Sequence, residues 1–103
     1  MRFLVHMNVR LPHDLDPGTV SRLKATEKER ALALQRAGTW CHLWRVAGQY
    51  ANYSVFDVGS IDELHDLLST LPLFPFMDVE VIPLATHPSA LEAQPPEQAD
   101  PDG

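Results

Sequence analysis

Apolar and polar residues alternate along residues 2–10, as they do in a strand that buries one of its faces. One side of this segment carries only apolar side chains, namely Phe3, Val5, Met7 and Val9. Residues 39–47 and 50–58 alternate in the same way, and the short "GQ" connection between them predicts an antiparallel hairpin. A last strand is predicted over about residues 77–85.

A helical period replaces the alternation after the first strand. Asp16 is the predicted N-cap, and Pro17 occupies the first helical position, where the missing N–H of proline is tolerated. The helix is expected to run to about Ala37, with Gly38 ending it.

A second helix is predicted over roughly residues 61–69, because Ser60 and Glu63 form a capping box. The two prolines of "LPLFPF", residues 71–76, exclude a continuation of this helix. We interpret this apolar segment either as a satellite of the core or as an oligomer contact, and we favour the contact.

The predicted order is strand, helix, strand, strand, helix, strand. This order predicts an α+β fold of the ferredoxin-like βαββαβ type, with a four-stranded antiparallel sheet and both helices on one face. The other sheet face is left bare, so we expect a second subunit to cover it. Residues 1–88 form the predicted domain. The Pro-rich, acidic residues 89–103 form a tail that is either flexible or packed on a neighbouring subunit.

Composition narrows the possible partners and location. The formal net charge of −6, with a pI of about 5.1, argues against a nucleic-acid partner. No apolar run approaches the roughly 20 residues that span a membrane, and residues 1–12 lack the apolar core of a signal peptide. The single cysteine, Cys41, excludes an intrachain disulfide, and no Cys and His spacing predicts a zinc site. These features favour a cytoplasmic protein that binds no metal, nucleic acid or membrane.

One carboxylate interrupts the apolar face of the first helix. Val20, Leu23, Glu27, Ala31 and Leu34 fall within an arc of roughly 80°. A carboxylate that is buried there is costly unless a partner stabilises its charge. Glu27 is therefore expected to face the sheet with some partner beside it.

Two interpretations of Glu27 follow. The first is a structural ion pair with Lys24, Arg45 or His42, which is how most buried charges are stabilised. The second is a general base in a pocket between helix and sheet. Burial raises the pKa of a glutamate toward neutrality, and such a pKa suits reversible proton abstraction.

The predicted hairpin carries an unusual set of aromatic and polar side chains, namely Trp40, His42, Trp44, Tyr50, Asn52 and Tyr53. One interpretation is an ordinary sheet face, and the other is a small-molecule pocket with aromatic walls. In the second interpretation, His42 and Asn52 donate hydrogen bonds to an anionic oxygen. Cys41 is interpreted as a small apolar filler, since no base adjoins it in the sequence.

Several motifs together resemble one known family. They are "KATEKE", "HLWRVAGQYANYSVFDV", "DELHDLL" and "LPLFPFMDVEV", and with "MRFLVHMNVRLPHDLDP" and "HPS" they span nearly the whole chain before the tail. These motifs are similar to those of the muconolactone Δ-isomerase family. The resemblance implies ferredoxin-like subunits that pair as dimeric α+β barrels, a homodecamer built from such dimers, a small lactone substrate and no cofactor.

The resemblance also implies a reaction in the β-ketoadipate pathway of aromatic hydrocarbon degradation. A base removes the C4 proton of (+)-muconolactone, and a proton returns at C2 to give 3-oxoadipate enol-lactone. By this resemblance Glu27 is the proton shuttle, and Lys24 stabilises the oxyanion or binds the substrate carboxylate. The remaining substrate-binding candidates are His42 and Asn52 as orienting groups, with Tyr50, Trp44 and Phe76 as walls. Arg45 is expected to serve packing or assembly.

Two positions depart from the family pattern, which commonly has Arg at the position of Cys41 and Tyr at the position of Phe76. If either residue lines the pocket, the substrate differs from plain muconolactone. A methylmuconolactone isomerase and a chloromuconolactone dehalogenase therefore stay open as alternatives. Two alternatives of other classes are a non-catalytic module that binds a small acid and a cofactor-free monooxygenase of the same fold.

Overall fold

The computed structural model of the protein describes residues 1–91. Its elements, in chain order, are β1 (Arg2–Val9), α1 (Pro17–Arg36), β2 (Trp40–Arg45), β3 (Ala51–Asp57), α2 (Ile61–Ser69), a 3₁₀ turn (Phe74–Phe76) and β4 (Met77–Leu84). The four strands form one antiparallel sheet in the order β2–β3–β1–β4. This arrangement confirms the prediction of a ferredoxin-like βαββαβ fold.

Local sequence sets both ends of α1. The Asp16 carboxylate accepts a hydrogen bond from the backbone N–H of Thr19 at 3.1 Å, which is the expected N-cap contact. The helix ends at Arg36, and Gly38 takes a φ of 80°. That left-handed conformation is open to glycine without strain, so α1 ends where the sequence predicts.

The start of α2 is a capping box with one displaced contact. The Ser60 hydroxyl accepts a hydrogen bond from the Glu63 N–H at 3.1 Å. The Glu63 carboxylate in turn accepts from the Gly59 N–H at 2.6 Å, one residue before the expected donor. Both contacts are local, and α2 has the bounds that the sequence predicts.

The core lies between the helices and one face of the sheet. It includes Phe3, Val5, Met7 and Phe56 from the strands, Ala31 and Leu34 from α1, and Leu64 and Leu68 from α2. Since both helices contribute to one cluster, they cover the same sheet face. The N-terminal half of α1 packs less closely, because Val20 and Leu23 are only half-buried.

The apolar segment after α2 belongs to the interior of the chain. Leu71 and Leu73 are 2% and 3% exposed. The preference for an oligomer contact is therefore wrong for these two leucines. The prolines exclude an α-helix but not burial, since the segment instead forms a 3₁₀ turn. The carbonyl of Phe76 at the end of this turn accepts a hydrogen bond from the Arg10 N–H at 2.7 Å.

Strand β2 contains a bulge that its alternating sequence does not reveal. Trp40 pairs with Phe56, yet His42 already pairs with Val55. Cys41 is therefore an extra residue that has no cross-strand partner.

The bulge exchanges the faces of the residues that follow it. Leu43 and Arg45 lie on the helix-covered side together with Trp40, whereas His42 and Trp44 lie on the outer side. Strict alternation along residues 39–47 predicts that Trp40, His42 and Trp44 share one face, and the bulge makes this prediction wrong. A single extra residue moves every later side chain to the opposite face.

The outer face of the sheet exposes large apolar and aromatic side chains, namely Trp44, Tyr53, Ile82 and Leu84. His42 stacks on Trp44 with ring centres 5.1 Å apart, and the ring centres of His6 and Tyr53 are 4.7 Å apart. No helix within residues 1–91 has the length and apolar character needed to cross a membrane. The expected tail begins at residue 89, and its residues 92–103 lie outside the described part of the chain.

Candidate active site

A cavity of about 460 Å³ opens between α1, the β2–β3 hairpin and the segment that follows α2. Its polar lining consists of Lys24, Glu27, Lys28, Gln35, Arg45, Tyr50 and Asn52. Apolar surface comes from residues that include Ala31, Trp40, Leu73 and Met77. A cavity of this size with a few convergent polar groups has the form of a small-molecule site.

Glu27 lies half-buried at the side of this cavity that α1 forms. Its Oε1 atom accepts a hydrogen bond from the backbone N–H of Leu73 at 3.0 Å. Among residues 1–91 it forms no ion pair with Lys24, Arg45 or His42. The ion-pair interpretation is therefore replaced by a backbone contact that leaves the second carboxylate oxygen available.

The pKa of Glu27 is raised above its ordinary value of 4.5. Burial is the larger cause, because it disfavours the charged form. The hydrogen bond from Leu73 acts in the opposite direction, since it favours the carboxylate, but it does not reverse the shift. A carboxyl group whose pKa is raised in this way is a stronger base than an exposed glutamate.

Two cations approach one aromatic ring in the cavity. The Lys24 Nζ atom lies 5.2 Å from the centre of the Tyr50 ring, and the Arg45 Cζ atom also lies 5.2 Å from that centre. Burial raises the pKa of the Tyr50 hydroxyl; Arg45 opposes this shift and Glu27 reinforces it. Tyr50 therefore keeps its proton at neutral pH, as a wall of the cavity that also attracts cations.

Asn52 is oriented by a buried hydroxyl. Ser54, which is fully buried, donates from Oγ to the Asn52 Oδ1 atom at 2.7 Å. This bond occupies the acceptor side of the amide, so the Asn52 NH₂ group is left to donate. Asn52 pairs with Met7 on β1 and with Arg45 on β2, which places it on the cavity side of the sheet.

The structure brings together four of the seven site residues that the sequence suggests: Lys24, Glu27, Tyr50 and Asn52. It does not bring the other three to this cavity. His42 and Trp44 lie on the outer sheet face because of the bulge, and Phe76 lies in the 3₁₀ turn, outside the lining. Their placement in the pocket of their own chain is corrected accordingly.

Arg45, Lys28 and Gln35 are polar cavity residues that sequence reasoning missed. Arg45 is expected to serve packing or assembly, yet it lines the cavity opposite α1. A usable signal was present in the hairpin. Counting outward from the turn pairs Arg45 with Asn52, and directly paired residues of an antiparallel hairpin point to the same face.

The two departures from the family pattern lie outside the cavity lining. Cys41 is the bulged residue of β2, and its thiol is 3.4 Å from the carbonyl oxygen of Gly38. Phe76 belongs to the 3₁₀ turn. Within residues 1–91, no group of three His, Cys, Asp or Glu side chains is placed to hold a metal ion.

Comparisons with known proteins show the family of the chain. The family model described as muconolactone delta-isomerase matches residues 1–90. A muconolactone delta-isomerase of Pseudomonas aeruginosa is 58% identical over 93 residues, covering 90% of this chain and 97% of that protein. One of Cupriavidus pinatubonensis is 57% identical over 91 residues, covering 88% of this chain and 99% of that protein.

A crystal structure of muconolactone isomerase superposes with a TM-score of 0.85 at 61% sequence identity. The match covers 89% of this chain and 96% of the crystallised chain. The family model, the sequence relatives and the similar crystal structure thus all identify the same family. The chain belongs to the muconolactone delta-isomerase family.

Proposed function

We propose that the protein is a muconolactone Δ-isomerase, which converts (+)-muconolactone to 3-oxoadipate enol-lactone without a cofactor. The observation that carries this proposal is the half-buried Glu27 carboxylate, which has a raised pKa and lies in a cavity with Lys24. Family membership supports the same activity, since the relatives carry this name.

The proposed reaction is a proton transfer within one substrate molecule. Glu27 removes the C4 proton, and the electron pair moves through the ring double bond onto the carbonyl oxygen of the lactone, called the lactone oxygen below. The resulting dienolate is then protonated at C2 by the same carboxyl group. One base suffices because C2 and C4 belong to one small ring, and the raised pKa of Glu27 suits both accepting and returning the proton.

The negative charge that develops on the lactone oxygen needs stabilisation. Lys24 precedes Glu27 by three residues on α1, and side chains at this spacing are neighbours on a helix. We assign its ammonium group to this oxygen. Asn52 is assigned to orient the substrate, because Ser54 holds its amide with the NH₂ group free to donate.

The unsubstituted lactone is favoured over the methylated and chlorinated alternatives. The two positions that raised those alternatives, Cys41 and Phe76, do not line the cavity. The test is turnover of (+)-muconolactone and 5-chloromuconolactone side by side, followed by ultraviolet absorbance and chloride release. Fast conversion of muconolactone supports the isomerase, whereas chloride release with poor muconolactone turnover identifies a dehalogenase.

The alternatives from other classes are separated by two further measurements. A non-catalytic module that binds a small acid would turn over neither lactone, whatever residue stands at position 27. A cofactor-free monooxygenase would consume oxygen during the reaction, and the isomerase consumes none. An oxygen electrode in the same assay distinguishes these cases.

We also propose that the subunits pair through their outer sheet faces and that the dimers assemble further, as a decamer. The exposed Trp44, Tyr53 and Ile82 support this proposal, because so many large apolar groups on one face are unusual for a monomer.

A cytoplasmic location is proposed on the composition alone. Most of the expected tail, residues 89–103, lies outside the described residues, and deletion of residues 90–103 followed by assays of activity and mass tests its role.

A further inference from the structure

Arg45 brings a third cation to a cavity that contains a single carboxylate. The chain has 8 Lys and Arg residues against 14 Asp and Glu residues, yet three of those cations, Lys24, Lys28 and Arg45, line the cavity. Among residues 1–91, Glu27 is the only acidic residue in the lining. A surface of locally positive charge on an acidic protein attracts an anionic ligand.

No protein carboxylate neutralises Arg45 within residues 1–91. Ion pairs in that part of the chain join Met1 to Asp57 and Arg10 to Asp78, and neither includes Arg45. The Arg45 Nη1 atom donates one long hydrogen bond, to the carbonyl oxygen of Gln49 at 3.5 Å. The guanidinium therefore keeps most of its hydrogen-bonding capacity for a ligand.

Lys24 and Arg45 lie on different elements but are related through Tyr50. Each cation is 5.2 Å from the centre of this ring, so both lie within cation–π distance of it. Lys24 lies on α1, three residues before Glu27. Arg45 approaches from the hairpin, where it pairs with Asn52.

The two cations also differ in chemistry. A guanidinium presents a planar fork that matches the two oxygens of a carboxylate, whereas an ammonium acts as a point charge. The proposed substrate likewise carries two kinds of negative charge. Its side-chain carboxylate is charged throughout the reaction, and its lactone oxygen becomes charged only as the C4 proton leaves.

We propose that Arg45 binds the side-chain carboxylate of the substrate, so that Lys24 is left to act on the lactone oxygen. The site then selects lactones that carry a free carboxylate and discriminates against their esters. This inference rests on the proposed function and deepens it by naming the group that the enzyme recognises and the residue that recognises it.

The different roles proposed for Arg45 and Lys24 predict different kinetic effects when each residue is replaced. A contact that is equally strong in the bound substrate and in the transition state affects KM and leaves kcat largely unchanged. Loss of Arg45 should therefore raise KM. Loss of Lys24 should lower kcat, because its contact strengthens only as charge develops.

The test compares (+)-muconolactone with its methyl ester in the wild-type protein and in Arg45→Met. For the acid, kcat/KM should fall about 10- to 100-fold in the variant, mostly through KM, as expected for a lost hydrogen bond to a charged group. For the ester, the fall should be much smaller, so the acid-to-ester preference collapses. Arg45→Lys should recover part of the preference.

Arg36→Met is the matched control, since Arg36 is an exposed arginine at the end of α1 that does not line the cavity. It should keep the acid-to-ester preference of the wild type. Thermal unfolding of each variant shows whether the fold is intact. Equal losses on acid and ester in a folded Arg45→Met protein would overturn the proposal, as would a fall in kcat at unchanged KM.

Binding separates this inference from the proposed function. The saturated lactone, 5-oxotetrahydrofuran-2-acetic acid, has no double bond to move, so calorimetry measures its binding without turnover. Wild-type binding that is lost in Arg45→Met supports the carboxylate site even if muconolactone is not converted. Wild-type binding that persists in Arg45→Met overturns the site even if conversion is fast. Absence of wild-type binding overturns it as well.

Discussion

The backbone N–H of Leu73 donates a hydrogen bond to Glu27 Oε1 at 3.0 Å, across 46 positions of sequence. The contact fixes the carboxylate of α1 against the segment that follows α2. Because the donor belongs to the main chain, most substitutions at position 73 leave it in place. The proposed base is therefore positioned by the fold itself, and its second oxygen remains available to the substrate.

Replacement of Glu27 by Gln should abolish turnover and preserve the fold. The amide oxygen of Gln can still accept from Leu73, but the amide cannot take a proton from carbon. We expect kcat to fall by at least the roughly 10²- to 10⁴-fold that a general base contributes. Steady-state kinetics with circular dichroism as the folding control checks this, and near-native turnover in Glu27→Gln would rule out the assignment.

The pH dependence should follow the raised pKa of Glu27. Only the ionised carboxylate can abstract a proton, so kcat/KM should fall on the acid side, with an inflection above the ordinary glutamate value of 4.5. The Leu73 amide proton should shift through the same inflection in an NMR titration, since it senses the charge on its acceptor. An acid inflection at or below 4.5 would contradict the raised pKa.

The contribution of Glu27 to stability should change with pH in the opposite direction from that of a salt-bridged carboxylate. A raised folded-state pKa means that the folded chain binds more protons than the unfolded chain as pH rises from 4.5 to that pKa. The free energy of unfolding of the wild type therefore falls across this window, and this fall is absent in Glu27→Gln. Urea unfolding at about pH 4 and pH 8 measures this difference. The stability of Glu27→Gln relative to the wild type should be greater at the higher pH than at the lower pH. A constant difference would contradict this.

Lys24→Ala should reduce kcat more than it raises KM, because the proposed contact forms with the developing oxyanion. We expect about a 10- to 100-fold loss, below the upper range for buried oxyanion donors, since Lys24 is exposed to solvent. A raised KM with unchanged kcat would instead make Lys24 the carboxylate-binding residue. Kinetics of Lys24→Ala beside Arg45→Met decides between these assignments.

Ser54→Ala should weaken catalysis through Asn52. The substitution removes the 2.7 Å bond that orients the amide, and we expect kcat/KM to fall several-fold with a stability cost of about 1 kcal/mol. In an Asn52→Ala background the same substitution should have little further effect on kcat/KM. This double-mutant cycle isolates the coupling, and additive losses would show that Ser54 acts elsewhere.

Local signals predicted most of the fold. The Asp16 and Ser60 caps and the alternating strands depend on neighbours in sequence, and all were found where expected. The contact between Glu27 and Leu73 could not be predicted, because no local pattern indicates which backbone N–H reaches a carboxylate 46 residues away. The face of Arg45 was missed because alternation alone cannot detect an extra residue in a strand.

The bulged residue also makes the hairpin accessible to labelling. Cys41 is the single cysteine of the chain, and it has no cross-strand partner to disturb. Burial, reinforced by the charge of Asp57, raises the pKa of its thiol, so coupling to a maleimide or a spin label is slower than at an ordinary thiol at the same pH. A probe attached there reports on β2 without replacing any residue of the pairs that position Arg45 and Asn52.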